Sequence, residues 1–168
     1  MASILKQLKD EHNEVKSLLK KAEEATEAER SSLLEQIEEK LIPHARGEEK
    51  TLYAALLEQE KRKAEDVDLV QEAYEEHRAT DSLLSDLKNT AVDYEGWGGK
   101  LQVLKENIEH HIKEEEEELF TEARQQFTDA ELVDLKEVYL GEKKRFEESL
   151  PTQGQISERK KSPQVSVG

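Results

Sequence analysis

Four histidines at nearly even spacing, His12, His44, His77 and His111, constrain this chain more than any other feature of it. Where two neighbouring helices fold back on one another, residues equidistant from the turn sit at the same height. The midpoint of His12 and His44 is position 28, that of His44 and His77 is 60.5, and that of His77 and His111 is 94. Each midpoint falls where the chain is expected to turn. Position 60.5 lies in Glu60-Lys61-Arg62-Lys63, and position 94 in Asp93-Tyr94-Glu95-Gly96-Trp97-Gly98-Gly99, where three glycines in seven residues predict a loop. All four histidines are therefore expected at one level, one from each of four helices.

Helical periodicity agrees. Over 3–25 the apolar positions are Ile4, Leu5, Leu8, Val15, Leu18, Leu19 and Ala22, one stripe with His12 in its gap. A second helix over 28–61 carries Leu33, Leu34, Ile37, Leu41, Leu52, Ala55 and Leu56, with His44 and Glu48 where the period demands core residues. Pro43 should kink that helix or split it. A third over 64–91 has Val67, Val70, Tyr74, Leu84 and Leu87, with His77 in the stripe. The fourth runs to about 126 through Leu101, Leu104, Ile108, Ile112, Leu119 and Ala123, with His111 and Glu115 inward. A further short helix should start at Thr128, where Thr-Asp-Ala-Glu forms a capping box with Glu131, and end near 148. The expected fold is all-α, an antiparallel up-and-down four-helix bundle domain over 1–150 with that extra short C-terminal helix. Residues 151–168, rich in Ser, Gln, Pro and Lys, are expected to be a disordered tail.

Composition matters for what it excludes. The 168 residues include 25 Lys plus Arg against 40 Asp plus Glu, a net charge of −15, which argues against nucleic acid or an anionic membrane as partner. With no cysteine, disulfides, thiol catalysis and zinc–thiolate sites are ruled out. The N-terminus gains charge too early for a signal peptide, and no run of about 18 apolar residues exists, so the chain is expected to be soluble and cytoplasmic.

Six polar residues thus interrupt apolar stripes: His12, His44, Glu48, His77, His111 and Glu115. A buried carboxylate needs a counter-charge, and the lysines and arginines mostly fall outside the stripes. A metal would supply that charge and use the imidazoles. His44-x-x-x-Glu48 and His111-x-x-x-Glu115 place each pair one turn apart on one face, about 6 Å along the axis. Their helices run the same way, so both carboxylates lie on one side of the histidine layer and each can bridge two ions. Four nitrogens and two carboxylates suit a pair of iron or manganese ions, with zinc able to substitute.

At this point the sequence resembles the hemerythrin-like proteins with an HHE cation-binding domain. The resemblance spans about 4–124 and rests on Glu11-His12, on His44 to Tyr53 (His-Ala-Arg-Gly-Glu-Glu-Lys-Thr-Leu-Tyr), on Glu76-His77, and on His111 to Phe120 (His-Ile-Lys-Glu-Glu-Glu-Glu-Glu-Leu-Phe). It implies a non-haem, carboxylate-bridged di-iron centre, in which the two irons can also share an oxo bridge. Members carry dioxygen, sense oxygen or iron, handle nitric oxide, repair iron centres or decompose hydrogen peroxide. The oxygen carriers have a fifth histidine one turn before the one matched by His77; here that position is Ala73, and the next turn offers Asp81 as a group that could reach a metal or its water. The expected function is therefore reaction with small oxygen species, peroxide decomposition or nitric oxide handling leading. The alternative is dioxygen or iron binding or sensing without turnover. No residue stands out as catalytic acid or base.

The neighbours carry weaker expectations. His110, turned about 100° from His111, should face outward. Glu49 and Glu116 should support the ligands or lie exposed. Tyr53 and Phe120, at matching places, should pack, Tyr53 with a hydroxyl to offer. Of the run Glu114–Glu118 only Glu115 should point inward, and Trp97 should anchor the loop over the bundle end.

Overall fold

A computed structural model describes residues 2–59 and 63–150. It is all helix, with no strand among those residues: α1 (Ile4–Glu23), α2 (Glu27–Glu48), α3 (Ala54–Glu58), α4 (Ala64–Lys88), α5 (Trp97–Glu114), α6 (Phe120–Gln126) and α7 (Asp129–Ser149). Two π-helical turns, Glu49–Tyr53 and Glu115–Leu119, join α2 to α3 and α5 to α6, so the chain forms five rods. None of these helices is long and apolar enough to cross a membrane. Residues 60–62 of the expected turn Glu60–Lys63, and the tail at 151–168, lie outside the described residues.

The caps that begin these rods are local chemistry. At the start of α2 the Thr26 backbone N–H and hydroxyl both donate to Glu29, at 2.9 and 2.6 Å. At α7 the Glu131 N–H donates to the Thr128 hydroxyl at 3.3 Å, and the Thr128 N–H returns a bond to the Glu131 carboxylate at 2.7 Å. Pro43 does not split its helix; α2 runs through it, and the irregularity comes instead at the π turn after Glu48. Trp97, Gly98 and Gly99 belong to α5 and not to the preceding loop. The first turn of a helix leaves its N–H groups unbonded in any case, and here the buried Trp97 ring fixes it, with the Arg30 guanidinium 4.3 Å above the ring and donating to the Val92 carbonyl.

The C-terminal helix is not short. At 21 residues α7 is as long as α1, and it packs along α1, α2 and the first π turn. Leu132 and Tyr139 are its buried residues. The other rods meet in the cyclic order α1, α2, α4, α5, with α5 returning to α1.

Two apolar clusters fill the interior. One gathers Ile4, Leu8, Leu52, Tyr53, Phe120 and Tyr139, and the other Leu19, Ile37, Leu84, Trp97, Leu101 and Leu104. Burying a side chain of this size contributes about 1.5–3 kcal/mol, and that gain holds the rods together on both sides of a layer that is costly to bury. The buried polar layer comprises His12, His44, Glu48, His77, His111 and Glu115, joined by Glu11, Thr51 and Thr80.

Candidate metal centre

The six side chains singled out in the sequence converge. The His44 Nε2 lies 2.9 Å from Glu48 Oε1, and His12 Nε2 lies 3.1 Å from Glu115 Oε2 and 3.8 Å from Glu48 Oε1. On the other side, His77 Nε2 is 3.5 Å from Glu48 Oε2 and 3.1 Å from His111 Nε2, with His111 Nε2 3.9 Å from Glu115 Oε2. Two ligand groups result, His12–His44–Glu48–Glu115 and Glu48–His77–His111; within each, one atom per residue lies within 4.8 Å of the others. Glu48 belongs to both.

The donor set fits a metal on an observation of its own. His12 Nε2, both oxygens of Glu48 and Oε2 of Glu115 are buried without a hydrogen-bond partner among the described residues, and all belong to this layer. Their contacts across the layer, at 2.9–3.8 Å, are ion pairs without hydrogen-bond geometry, so directed lone pairs stay unmet. The close pair of imidazole Nε2 atoms, His77 and His111, also points two lone-pair positions at one place. A cation there would satisfy all of these atoms together.

Every imidazole is oriented from behind. The Nδ1 of His12 faces Glu116 at 2.9 Å, that of His44 faces Glu11 at 2.9 Å, that of His77 faces Glu49 at 2.9 Å and that of His111 faces Glu76 at 2.7 Å. A carboxylate accepts from Nδ1–H, which leaves the Nε2 lone pair to face the centre. The four contacts close a ring: α1 holds the histidine of α2, the turn after α2 holds that of α4, α4 holds that of α5, and the turn after α5 holds that of α1. Glu49 and Glu116 therefore do support the histidines. Glu11 and Glu76, the chain neighbours of His12 and His77, each serve the histidine of the next rod. The signal was present as an acidic residue beside four of the six inward residues, but the sequence does not say which histidine each serves.

Electrostatics in the metal-free layer follow from burial and pairing. Burial works to raise the Glu48 carboxyl, and the imidazoles of His44, His12 and His77 overcome it, holding it well below the usual range. Burial works to lower His12, but Glu115 and Glu48 push it up to about 10; His77 is raised to about 9 against the same burial by Glu48 and Glu49. The Tyr53 hydroxyl donates to Glu115 Oε1 at 3.0 Å, and burial followed by Glu115 and Glu48 keeps it protonated well above its ordinary value.

The two halves of the layer are not equivalent. Tyr53 stacks on His77 with centroids 5.5 Å apart, whereas Phe120, at the matching place, stacks on His12 at 6.1 Å and offers no hydroxyl. Opposite the carboxylates, beside the imidazoles, lies a cavity of about 20 Å³ walled by Val15, Leu41, Thr80, Ile108 and Ile112. Asp81 reaches this wall, but its carboxylate pairs with Arg46, and it joins neither ligand group. Ala73 is buried in the cluster below the layer.

His110 is 59% exposed at its side chain and pairs with Glu114 at 3.2 Å, so the helix phase separates it from His111. We expect His111→Ala to lose at least one of two metal equivalents. His110→Ala should keep both, with stability changed by under about 0.5 kcal/mol, as for most surface substitutions. Elemental analysis of the two purified variants after loading checks this directly.

The family described as hemerythrin HHE cation binding domain matches residues 3–123. The structure is similar to the crystal structure of a hemerythrin HHE cation binding domain-containing protein from Mycobacterium kansasii, with a TM-score of 0.78 and 28% identity over 94% of this chain and 97% of that one. No curated protein matches the sequence.

Proposed function

The chain belongs to the hemerythrin HHE cation-binding domain family, and from that membership we propose an antiparallel up-and-down bundle that holds two non-haem iron ions and reacts with small oxygen species in the cytoplasm. His12, His44, Glu48 and Glu115 would hold one ion and Glu48, His77 and His111 the other. The shared Glu48, with its two oxygens turned to two imidazole groups, is the observation that carries this reading. When bound, the iron pair would supply a reversible redox couple. The chain's own part is to orient the imidazoles through the ring of carboxylates and to keep large molecules out.

The cavity supports a ligand of two or so heavy atoms. A single water needs about 10–15 Å³, so about 20 Å³ suits peroxide or a diatomic and nothing bulkier. Six of the twelve residues that line it are aliphatic and four are the imidazoles of the layer. On the donor side Tyr53 holds a proton against Glu115, next to His77. Ala73 in place of a fifth histidine leaves one position without a nitrogen ligand, which favours peroxide decomposition or nitric oxide handling over reversible dioxygen carriage.

Addition of hydrogen peroxide to the iron-loaded protein should release one dioxygen for every two peroxides consumed, followed with an oxygen electrode. If no gas is released while nitric oxide changes the optical spectrum, nitric oxide handling is the function. If neither occurs, binding or sensing without turnover replaces both.

A further inference from the structure

The carboxylate behind His44 differs from the other three. Glu11 Oε2 accepts from His44 Nδ1 at 2.9 Å and from the Tyr139 hydroxyl at 2.5 Å, and Oε1 accepts from Gln7 at 2.8 Å and pairs with Lys143 at 2.9 Å. Tyr139 and Lys143 both come from α7, which lies beyond the residues matched by the family. The Tyr139 oxygen is also 3.1 Å from His44 Nδ1, and the residue is fully buried. Its ring occupies the space over Gly47, where an added Cβ would lie 2.5 Å from Tyr139 Cε2. Gly47 sits one residue before Glu48, so α7 is seated directly against the ligand-bearing stretch of α2. Lys9, Arg46 and His110 are the further groups near Glu116, Glu49 and Glu76, and none of them belongs to α7.

We propose that α7 is a working part of the metal centre: Tyr139 and Lys143 fix the Glu11 carboxylate, Glu11 fixes the His44 imidazole, and the His12–His44 ligand group depends on a helix outside the matched domain. Tyr139 and Lys143 are positioning residues. They touch no metal position; both act through Glu11, and the Tyr139 hydroxyl also lies beside His44 Nδ1. The two ligand groups then differ in what holds them, since His77 and His111 are oriented without α7.

This inference rests on the reading of the layer as a two-metal site, and the test separates the two. Zinc serves as the probe, because it is diamagnetic. Tyr139→Phe keeps the ring over Gly47 and removes only the hydroxyl, and Lys143→Met removes the ammonium. In competitive zinc titration each variant should weaken one of the two equivalents and leave the other unchanged. The pair combined should weaken it by about 10- to 100-fold, the usual effect of losing a partner behind a histidine ligand. In the zinc-loaded protein the His44 Nδ1–H resonance should move while those of His77 and His111 stay in place. Leu132→Ala, a buried α7 change that does not touch Glu11, should lower the melting temperature without either effect. Unchanged zinc affinity and an unmoved His44 resonance in the double variant would overturn the proposal, as would equal weakening by Leu132→Ala. If the wild-type chain takes up no zinc or iron, the two-metal reading fails and this inference falls with it.

Discussion

Replacing Glu48 by Gln is expected to empty both metal positions while leaving the chain folded. Glu48 is fully buried and belongs to both ligand groups, Oε1 facing His44 and His12 and Oε2 facing His77. Gln keeps the shape, so no cavity opens, but it removes the charge that offsets two cations and the oxygen that can bridge them. Glu115→Gln provides the contrast. Glu115 stands in the first group only, and His77 with His111 retain Glu48. After anaerobic loading with ferrous ion and desalting, wild type should carry two irons per chain, Glu48→Gln fewer than about half of one, and Glu115→Gln at least one. Losing the Glu48 charge removes one of the carboxylates that raise His12 and His77, and leaves Glu115 facing His12 and Glu49 facing His77. Each imidazole thus keeps a carboxylate beside it, at 3.1 Å for His12 and 2.9 Å for His77, which is why the metal-free variant should still melt cooperatively. Two irons retained in Glu48→Gln would remove the bridging role and with it the two-group reading.

What the sequence disclosed here depended on period and symmetry. His12, His44, His77 and His111 stood in stripes of known phase, and mirror positions across three turns brought them to one level without any knowledge of side-chain contacts. The same reasoning put His110 outside. It did not reach the carboxylates behind the histidines, because Glu11 and Glu76 serve histidines on other rods, and a stripe records only which way a residue faces on its own helix. Nor does it reach the π turns: five residues are too few to show a changed period, and the roles expected of Tyr53 and Phe120, packing with a hydroxyl to offer from Tyr53, do not depend on one. Trp97-Gly98-Gly99 read as loop on glycine content, yet a first helical turn places few demands on side chains and a buried Trp is enough to fix it. The docking of α7 was invisible for a related reason. It depends on one small residue, Gly47, meeting one large one, Tyr139, 92 positions away.

Metal should protect the fold most strongly at alkaline pH. In the metal-free protein His12 is raised to about 10 and His77 to about 9, against about 6.5 in an unfolded chain. A raised folded-state value means that the ion pairs with Glu48, Glu115 and Glu49 stabilise the fold fully below about pH 6.5. That stability is lost as the pH rises through about 9 to 10, when the imidazoles lose their protons. The depressed Glu48 reflects the same ion pairs seen from the acid side, so it adds nothing further. A tenfold difference in proton affinity between folded and unfolded chain is worth about 1.4 kcal/mol, so the loss between pH 7 and pH 10 is on the order of a few kcal/mol. For a chain of this size that corresponds to a fall in melting temperature of roughly 5–10 °C. With metal bound, the Nε2 lone pairs are already committed and carry no proton to lose, so the same rise in pH should leave the melting temperature nearly level. Binding also expels those protons, so affinity should climb with pH, by up to about tenfold per pH unit for each proton displaced, until the imidazoles titrate. Thermal melts of metal-free and zinc-loaded protein at pH 7, 8.5 and 10 read both effects, and the gap between the two curves should widen at each step. A gap that stays constant would mean that His12 and His77 carry no extra protons when the metal is absent, and that the carboxylates facing them are neutralised in some other way.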